Sequence, residues 1–221
     1  MIGQIIGMFS GEYTEIEMAF VLTQLAARVF VVIFCLSLHE YAHALAAKKL
    51  GDNTAWMHGR LTLNPAKHLD PIGTLMIFIV GFGYAKPVPV NPRNFKNRKY
   101  KQGMAITAAA GPASNLVLGL LFHGVSWLFL LFLGMPNKYA LLYAESPDLY
   151  ACVLYIFINT VASINISLAL FNLLPIPPLD GSRILDLFLP PKASMFIARN
   201  ERFFLYGLYA VLFIFFIASR V

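Results

Sequence analysis

The sequence predicts an all-α, polytopic membrane protein with about four long transmembrane helices and a re-entrant or β-hairpin-like element on the cytoplasmic side. Hydrophobic residues make up 58% of the 221 residues and charged residues only 13%, and the mean hydropathy is +0.67. These values lie outside the range of soluble globular proteins. Several apolar runs also approach the roughly 20 residues that a helix needs to cross a bilayer. We therefore expect a single intramembrane domain over residues 1–221.

Four crossings are predicted from the apolar runs, near residues 18–50, 104–133, 150–174 and 203–218. The first crossing could begin at Met18 or at Leu25, and it ends before Gly51. Residues 58–95 are predicted to form a re-entrant or extended region. Within them, the apolar run 72–82 is too short for a helical crossing, and residues 58–65 alternate polar and apolar side chains as in a strand.

The distribution of charge predicts the orientation in the cell membrane. The segment Lys48–Lys101 holds ten Lys or Arg and two Asp, whereas the first 17 residues hold three Glu and no basic residue. Because cytoplasmic loops collect Lys and Arg, we expect this segment inside and the N-terminus outside. No aromatic-interleaved basic repeat or nucleic-acid motif accompanies the charge, so no nucleic-acid partner is predicted.

A pair of histidines inside the first crossing indicates a metal site. His39 and His43 are four residues apart, so on a helix they project from one face, one turn apart. Two neutral imidazoles so placed can bind one Zn²⁺, and Glu40 can take a proton from a water on that metal. This is the H-E-x-x-H pattern of metal-dependent proteases. Side chains that can carry charge are costly at membrane depth, which favours a functional role. We predict one zinc ion per chain, inside the membrane and nearer its cytoplasmic face.

A catalytic zinc site normally takes a third protein ligand, and the sequence offers several candidates. Asp180, Asp70 and His68 lie at a suitable predicted depth, and Cys35 lies one turn before His39 but is more typical of a buried apolar cysteine. Asp180 is favoured because three prolines at 175–178 break the helix just before it, which would present its carboxylate inside the membrane. Asn172, two turns earlier, could donate to an oxyanion or could equally be a helix-packing amide.

The segment 85–91 is predicted to be an extended edge or an ordinary proline-rich loop. Pro87 and Pro89 are two residues apart, so their missing N–H groups fall on one edge. Val88 and Val90 keep their N–H donors on the other edge. Such a segment could pair with another strand on one side only.

These motifs together resemble the site-2 protease family of intramembrane zinc metalloproteases. The resemblance is carried by His39-Glu-Tyr-Ala-His43, by Asn172-x-x-Pro-x-x-x-x-Asp180-Gly181 and by Gly111-Pro-Ala-Ser-Asn115, with the stretch 64–71. It implies zinc ligands at His39, His43 and Asp180, a general base at Glu40, and an Asn172 that contacts substrate or oxyanion.

The same resemblance implies an activity and its partners. It implies cleavage of transmembrane helices of membrane proteins in the lipid bilayer, often as one step in the regulated release of a membrane-tethered factor. Many members carry a PDZ domain or a cystathionine-β-synthase-like domain. This chain has no room for either, so it resembles the compact branch.

Cleavage of a helical substrate requires local unwinding, because a helix hides its peptide bonds. We expect the segment with Lys86, Val88 and Val90 to capture the unwound stretch by strand addition.

Two other functions compete with proteolysis. A membrane metal transporter could use the same three ligands as a transit site, but the outer half of the membrane-spanning sequence offers few polar residues to continue a path. A catalytically inactive interaction protein could keep the metal for folding, but the intact Glu40 argues against this.

Overall fold

The computed structural model describes residues 13–71, 85–96, 99–142 and 148–218, together with residues 7 and 73. Within these residues the chain is helical and has no strand, which confirms the all-α class. The α-helices are α1 (Glu15–Lys49), α2 (Thr54–Met57), α3 (Tyr100–Phe132), α4 (Lys138–Leu142), α5 (Leu149–Asn172), α6 (Asp180–Asp186), α7 (Pro191–Arg199) and α8 (Glu201–Ala218), with short 3-10 helices at Pro65–Lys67 and Pro92–Asn94.

Three helices of the described chain are long and apolar enough to cross a membrane, namely α1, α3 and α5. They lie within a few residues of the first three predicted crossings. Residues 203–218 do form a helix, α8, but its crossing of the bilayer stays a prediction. Most of the run 72–82 lies outside the described residues, so the re-entrant element also stays a prediction.

Helix α1 begins earlier than either predicted start because a capping box fixes its first turn. The Thr14 hydroxyl accepts from the Glu17 N–H at 3.3 Å, and the Glu17 carboxylate accepts from the Thr14 N–H at 2.8 Å. This reciprocal pair satisfies two backbone donors that a helix start otherwise leaves unpaired. Further along, residues Val31–Cys35 form a π-helical turn directly before the segment with the two histidines, a feature that is frequent at functional sites.

The predicted strand pattern at residues 58–65 is wrong. These residues form turns that follow α2 and lead into the 3-10 helix at Pro65. Gly59 has a positive φ of 65°, and the Asn64 side chain accepts from the Ala66 N–H at 3.1 Å. These turn-forming residues outweigh the alternation of polar and apolar side chains.

By their packing the residues divide into two compact units. The first comprises Met1–Ser37, Leu69–Ala85 and Asn115–Ser167. Within it, α3 and α5 approach closely at Gly119, where an added Cβ would lie 2.5 Å from Ile166 Cγ1 and 3.0 Å from Ile166 N. Small residues allow such close packing of membrane helices. The second unit comprises Leu38–His68, Lys86–Ser114 and Leu168–Val221, and it contains both histidines and Asp180.

Candidate metal centre

The two histidines of α1 converge on one point inside the second unit. His39 and His43 are 5% and 8% exposed, and their Nε2 atoms are 3.0 Å apart. The rings stand at 85° to each other with centroids 4.7 Å apart. The spacing of one helical turn therefore places the two ring nitrogens side by side, where both could bind one metal ion.

Asp180 places a third candidate ligand atom at the same point. Its Oδ2 atom lies 3.2 Å from His39 Nε2 and 3.3 Å from His43 Nε2. Asp180 is the first residue of α6, directly after the proline-rich break that follows α5. Among the described residues, these three form the cluster whose ligand atoms all lie within 4.8 Å of one another. Of the candidate third ligands, the structure brings Asp180 to the histidine pair.

The three atoms have the geometry that a zinc ion requires. The edges of their triangle measure 3.0, 3.2 and 3.3 Å, and ligands 2.0–2.1 Å from a tetrahedral zinc lie about 3.3 Å apart. Asp180 Oδ2 is buried, yet no donor in the described residues meets it with hydrogen-bonding geometry. A cation bound by all three atoms would satisfy their three lone pairs. Zinc with one open coordination position therefore fits this donor set.

A backbone carbonyl of α3 orients His43. The Nδ1 atom of His43 lies 2.7 Å from the Thr107 carbonyl oxygen, and because a carbonyl can only accept, Nδ1 must carry the proton. The lone pair is then on Nε2, which faces the other two ligand atoms. Such outer hydrogen bonds fix the tautomer and ring orientation of metal-binding histidines.

Gly111 lets α3 pass directly beside the ligand nitrogens. A Cβ atom added there would lie 2.6 Å from His39 Nε2 and closer still to His43 Nε2. Any other residue would therefore occupy the space next to both imidazoles. From the sequence, Gly111 could be identified only as a small residue in a family motif, because nothing in the local pattern shows which groups it faces.

Gly181 has a similar role beside the third ligand. A Cβ atom added to Gly181 would collide with the carbonyl groups of Leu173 and Leu174, which directly follow α5. The absence of a side chain allows the start of α6 to pack against that backbone. This contact sets the position of Asp180, the preceding residue.

Comparison with known protein families agrees with this chemistry. The sequence signature of Peptidase family M50 matches residues 27–216, a stretch that includes all three ligand candidates and Glu40. The chain belongs to Peptidase family M50. M50 is the family of the site-2 proteases, so the resemblance noted in the motifs is confirmed.

Similar proteins carry names that describe zinc metalloproteases. This M50 chain is 44% identical over 180 residues to "Putative zinc metalloprotease YwhC" of Bacillus subtilis, and the match covers 80% of this chain and 77% of the relative. It is 29% identical to "Putative zinc metalloprotease Rip2" of Mycolicibacterium smegmatis over 77% of this chain and 62% of the relative. The Rip2 of Mycobacterium tuberculosis strain Erdman is 28% identical over 80% of this chain and 64% of its own length. The chain thus spans less than two thirds of these mycobacterial relatives. No solved structure shows a significant match.

The other two predicted residues of the M50 site lie on the same helices as expected. Glu40 follows His39 in α1 and is 8% exposed. Asn172 is the last residue of α5, and its Nδ2 donates to the Leu168 carbonyl of its own helix at 3.0 Å. In this structure the amide therefore bonds within α5, and its contact with substrate stays a prediction.

The remaining candidate ligands have other partners. Asn165 Nδ2 lies 3.4 Å from Cys35 Sγ and donates to it. The buried His68 ring places Nε2 2.8 Å from the Thr62 carbonyl, and Asp70 accepts from the Gly73 N–H at 2.9 Å. In the described structure, the three alternative ligands Cys35, His68 and Asp70 lie outside the cluster of His39, His43 and Asp180.

The segment with Lys86, Val88 and Val90 is irregular rather than a regular strand, and its two ends are held separately. The Lys86 N–H donates to the His68 carbonyl at 2.7 Å. At the other end, the Asn91 N–H donates to Asp52 at 2.7 Å, and Asp52 follows the end of α1. The prolines and valines between these two bonds are exposed or half-buried.

Asp52 is a fully buried acceptor that gathers four donors. Besides the Asn91 N–H, its carboxylate accepts from Asn94 Nδ2 at 2.9 Å and from the Thr54 N–H and hydroxyl at 3.0 and 2.5 Å. Burial alone would raise the pKa of Asp52, but these hydrogen bonds outweigh it and hold the pKa below its usual value. The carboxylate is therefore ionised at neutral pH and fixes the segment to the C-terminal end of the histidine helix.

Proposed function

We propose that this M50 chain is an intramembrane zinc metalloprotease that hydrolyses peptide bonds within transmembrane segments of membrane proteins, as in regulated intramembrane proteolysis. The observation that carries the proposal is the convergence of His39, His43 and Asp180 within 3.3 Å. Two of these ligands, and Glu40, belong to a helix that is long and apolar enough to cross a membrane. The excess of basic residues in Lys48–Lys101 supports a site near the cytoplasmic face and an outer N-terminus.

The side chains divide the chemistry of peptide hydrolysis between them. One bound zinc would polarise the scissile carbonyl and lower the pKa of a water in its open position. Glu40 accepts a proton from the attacking water, whose oxygen bonds to the carbonyl carbon. As the C–N bond breaks, Glu40 passes that proton to the leaving nitrogen. The bond from His43 to Thr107 keeps the His43 Nε2 lone pair available throughout.

Asn172 is our candidate for stabilising the oxyanion that forms on the substrate carbonyl. A neutral amide donor can do so without adding a buried charge. The Asn172 Nδ2 carries two N–H donors. One of them donates to the Leu168 carbonyl in the structure, and the other could donate to the substrate oxyanion.

The segment around Val88 is our candidate for holding the unwound substrate. Its ends are fixed at Lys86 and Asn91, so the backbone between them is held in place before substrate binds. The N–H groups of Val88 and Val90 can then donate to an added strand, while Pro87 and Pro89 offer none on the other edge.

Proline at residue 88 tests this capture directly. Val88→Pro removes one N–H donor without changing charge. We expect kcat/KM for a transmembrane substrate to fall about 10-fold, the cost of a hydrogen bond of about 1.5 kcal/mol. Val88→Ala, which keeps the N–H, is the matched control and should cleave nearly as well as wild type. Equal cleavage by the proline and alanine variants would refute strand addition.

Glu40→Gln tests the proposed function as a whole. The amide cannot accept the water proton, so we expect cleavage of a reconstituted single-span substrate to fall about 100- to 10,000-fold. Zinc content should match wild type, because Glu40 is not a ligand. Glu15→Gln, an exposed change on the same helix, is the control and should keep both zinc and activity.

Other results of this experiment favour the competing functions. Zinc uptake into vesicles that is unaffected by Glu40→Gln, with no cleavage by wild type, would identify a transporter. Zinc bound by wild type with neither cleavage nor uptake would identify an inactive member of the family.

A further inference from the structure

Helix α6 carries Asp180, the proposed third zinc ligand, but the helix is too short to be stable without contacts to the rest of the protein. It has seven residues, with Asp180 at its start and Asp186 at its end. Isolated helices of this length are unstable in water, so their position depends on contacts with the rest of the protein. The close packing of Gly181 against the Leu173 and Leu174 carbonyls fixes the first end.

The ammonium group of Lys101 fixes the other end. Its Nζ donates to the Asp186 carbonyl at 2.8 Å, to the Leu189 carbonyl at 2.6 Å and to the Ser194 hydroxyl at 2.7 Å. Nζ also lies 3.5 Å from Asp186 Oδ1. An ammonium has three N–H donors, and all three are used here. Carbonyls at a helix end lack partners within the helix, and a lysine there satisfies them and complements the helix dipole.

Lys101 belongs to α3, the same helix that orients His43 and lies against both imidazoles. Thr107 accepts from His43, and Gly111 leaves room beside the ligand nitrogens. One side chain thus connects the helix behind the histidines to the helix that carries the carboxylate.

We propose that Lys101 is a positioning residue for zinc: by holding α6 to α3, it keeps Asp180 at the distance from His39 and His43 that zinc requires. This inference rests on the proposed function, since it assumes that these three residues hold zinc. Lys101 touches neither zinc nor substrate.

The test is the rate at which the full-length purified protein loses zinc to an excess of chelator. Lys101→Met keeps the length of the side chain but removes all three donors, and we expect zinc release at least 10-fold faster, as for other supporting residues around metal ligands. Lys101→Arg keeps the donors and should stay within about threefold of wild type. Release is measured at a temperature where the metal-free forms of all variants stay folded, so that a general loss of stability does not contribute.

Arg183→Met is the matched control on α6. Arg183 forms an exposed ion pair with Glu201 at 3.4 Å, and exposed pairs contribute little, so zinc release should stay within about twofold of wild type. If Lys101→Met does not fold, Ser194→Ala removes one acceptor and leaves the lysine. It should then raise the release rate by about twofold to fivefold, since one of three hydrogen bonds is lost.

The possible results distinguish a failure of the positioning role of Lys101 from a failure of the proposed function. Release from Lys101→Met at the rate of Arg183→Met would overturn the positioning role, as would an unchanged rate in Ser194→Ala if that variant is needed. Wild type that binds no zinc would instead overturn the proposed function itself.

Discussion

Replacing Gly111 by alanine is expected to abolish zinc binding by the folded protein. The added methyl group would lie 2.6 Å from His39 Nε2 and closer to His43 Nε2, distances that real Cβ atoms do not adopt. If the imidazoles turn away, the triangle of ligand atoms is lost. If α3 retreats instead, His43 loses the Thr107 carbonyl that orients its ring. A displacement of about 1 Å in a catalytic group can cost about 100-fold, so we expect kcat/KM to fall by at least that factor. Zinc content by metal analysis and cleavage of a single-span substrate measure the two effects.

Gly124→Ala is the control for this change. Gly124 belongs to the same helix, and a Cβ added there meets no atom within 4 Å. It should keep zinc and activity, with a gain in stability of about 0.5–1 kcal/mol from alanine in a helix. Gly111→Ala that binds zinc as tightly as Gly124→Ala would show that α3 does not lie beside the ligands.

Gly181→Ala should weaken zinc binding by a different route. The new Cβ would collide with the carbonyls of Leu173 and Leu174, and a backbone cannot rotate away as a side chain can. The start of α6 must shift, and Asp180 moves with it, while His39 and His43 stay in place. We expect zinc affinity to fall at least 10-fold and kcat/KM about 100-fold. Competition with a chromogenic chelator gives the affinity.

Added zinc distinguishes the two glycine variants. Because Gly181→Ala leaves the histidine pair open, excess zinc should restore part of its activity, whereas Gly111→Ala should not respond. Gly207→Ala, where an added Cβ meets nothing within 4 Å, is the control for the second change. Wild-type zinc affinity in Gly181→Ala would contradict the role of Gly181 in placing Asp180.

The parts of the site that lie within one helix could be predicted from the sequence. His39 and His43 are four residues apart, so one helical turn separates them and both side chains lie on the same face. Asp180 could be favoured among the candidate ligands because proline prevents a helix from continuing. The three helices that are long and apolar enough to cross a membrane could be predicted from length and hydropathy. The sequence also contains a signal for the start of α1, because Thr14 and Glu17 have the spacing of a capping box.

The rest depends on which distant residues meet, and no local pattern contains that information. The role of Gly111 can be recognised only once α3 is known to lie against α1. The hydrogen bonds of Lys101 connect it to residues 85 to 93 positions away in the sequence. The π-helical turn at Val31–Cys35 has no composition that distinguishes it from ordinary helix. The alternation at residues 58–65 indicated a strand, but Gly59 and Asn64 favour turns more strongly.

The acceptor that orients His43 belongs to the main chain of residue 107, and every amino acid has that atom. An alanine scan through α3 would therefore leave this acceptor in place and would not detect it. Variation among natural sequences at this position is equally uninformative about the tautomer. The tautomer of the imidazole is in this sense a property of how two helices pack, and a substitution alters it by changing that packing rather than by removing a side-chain acceptor.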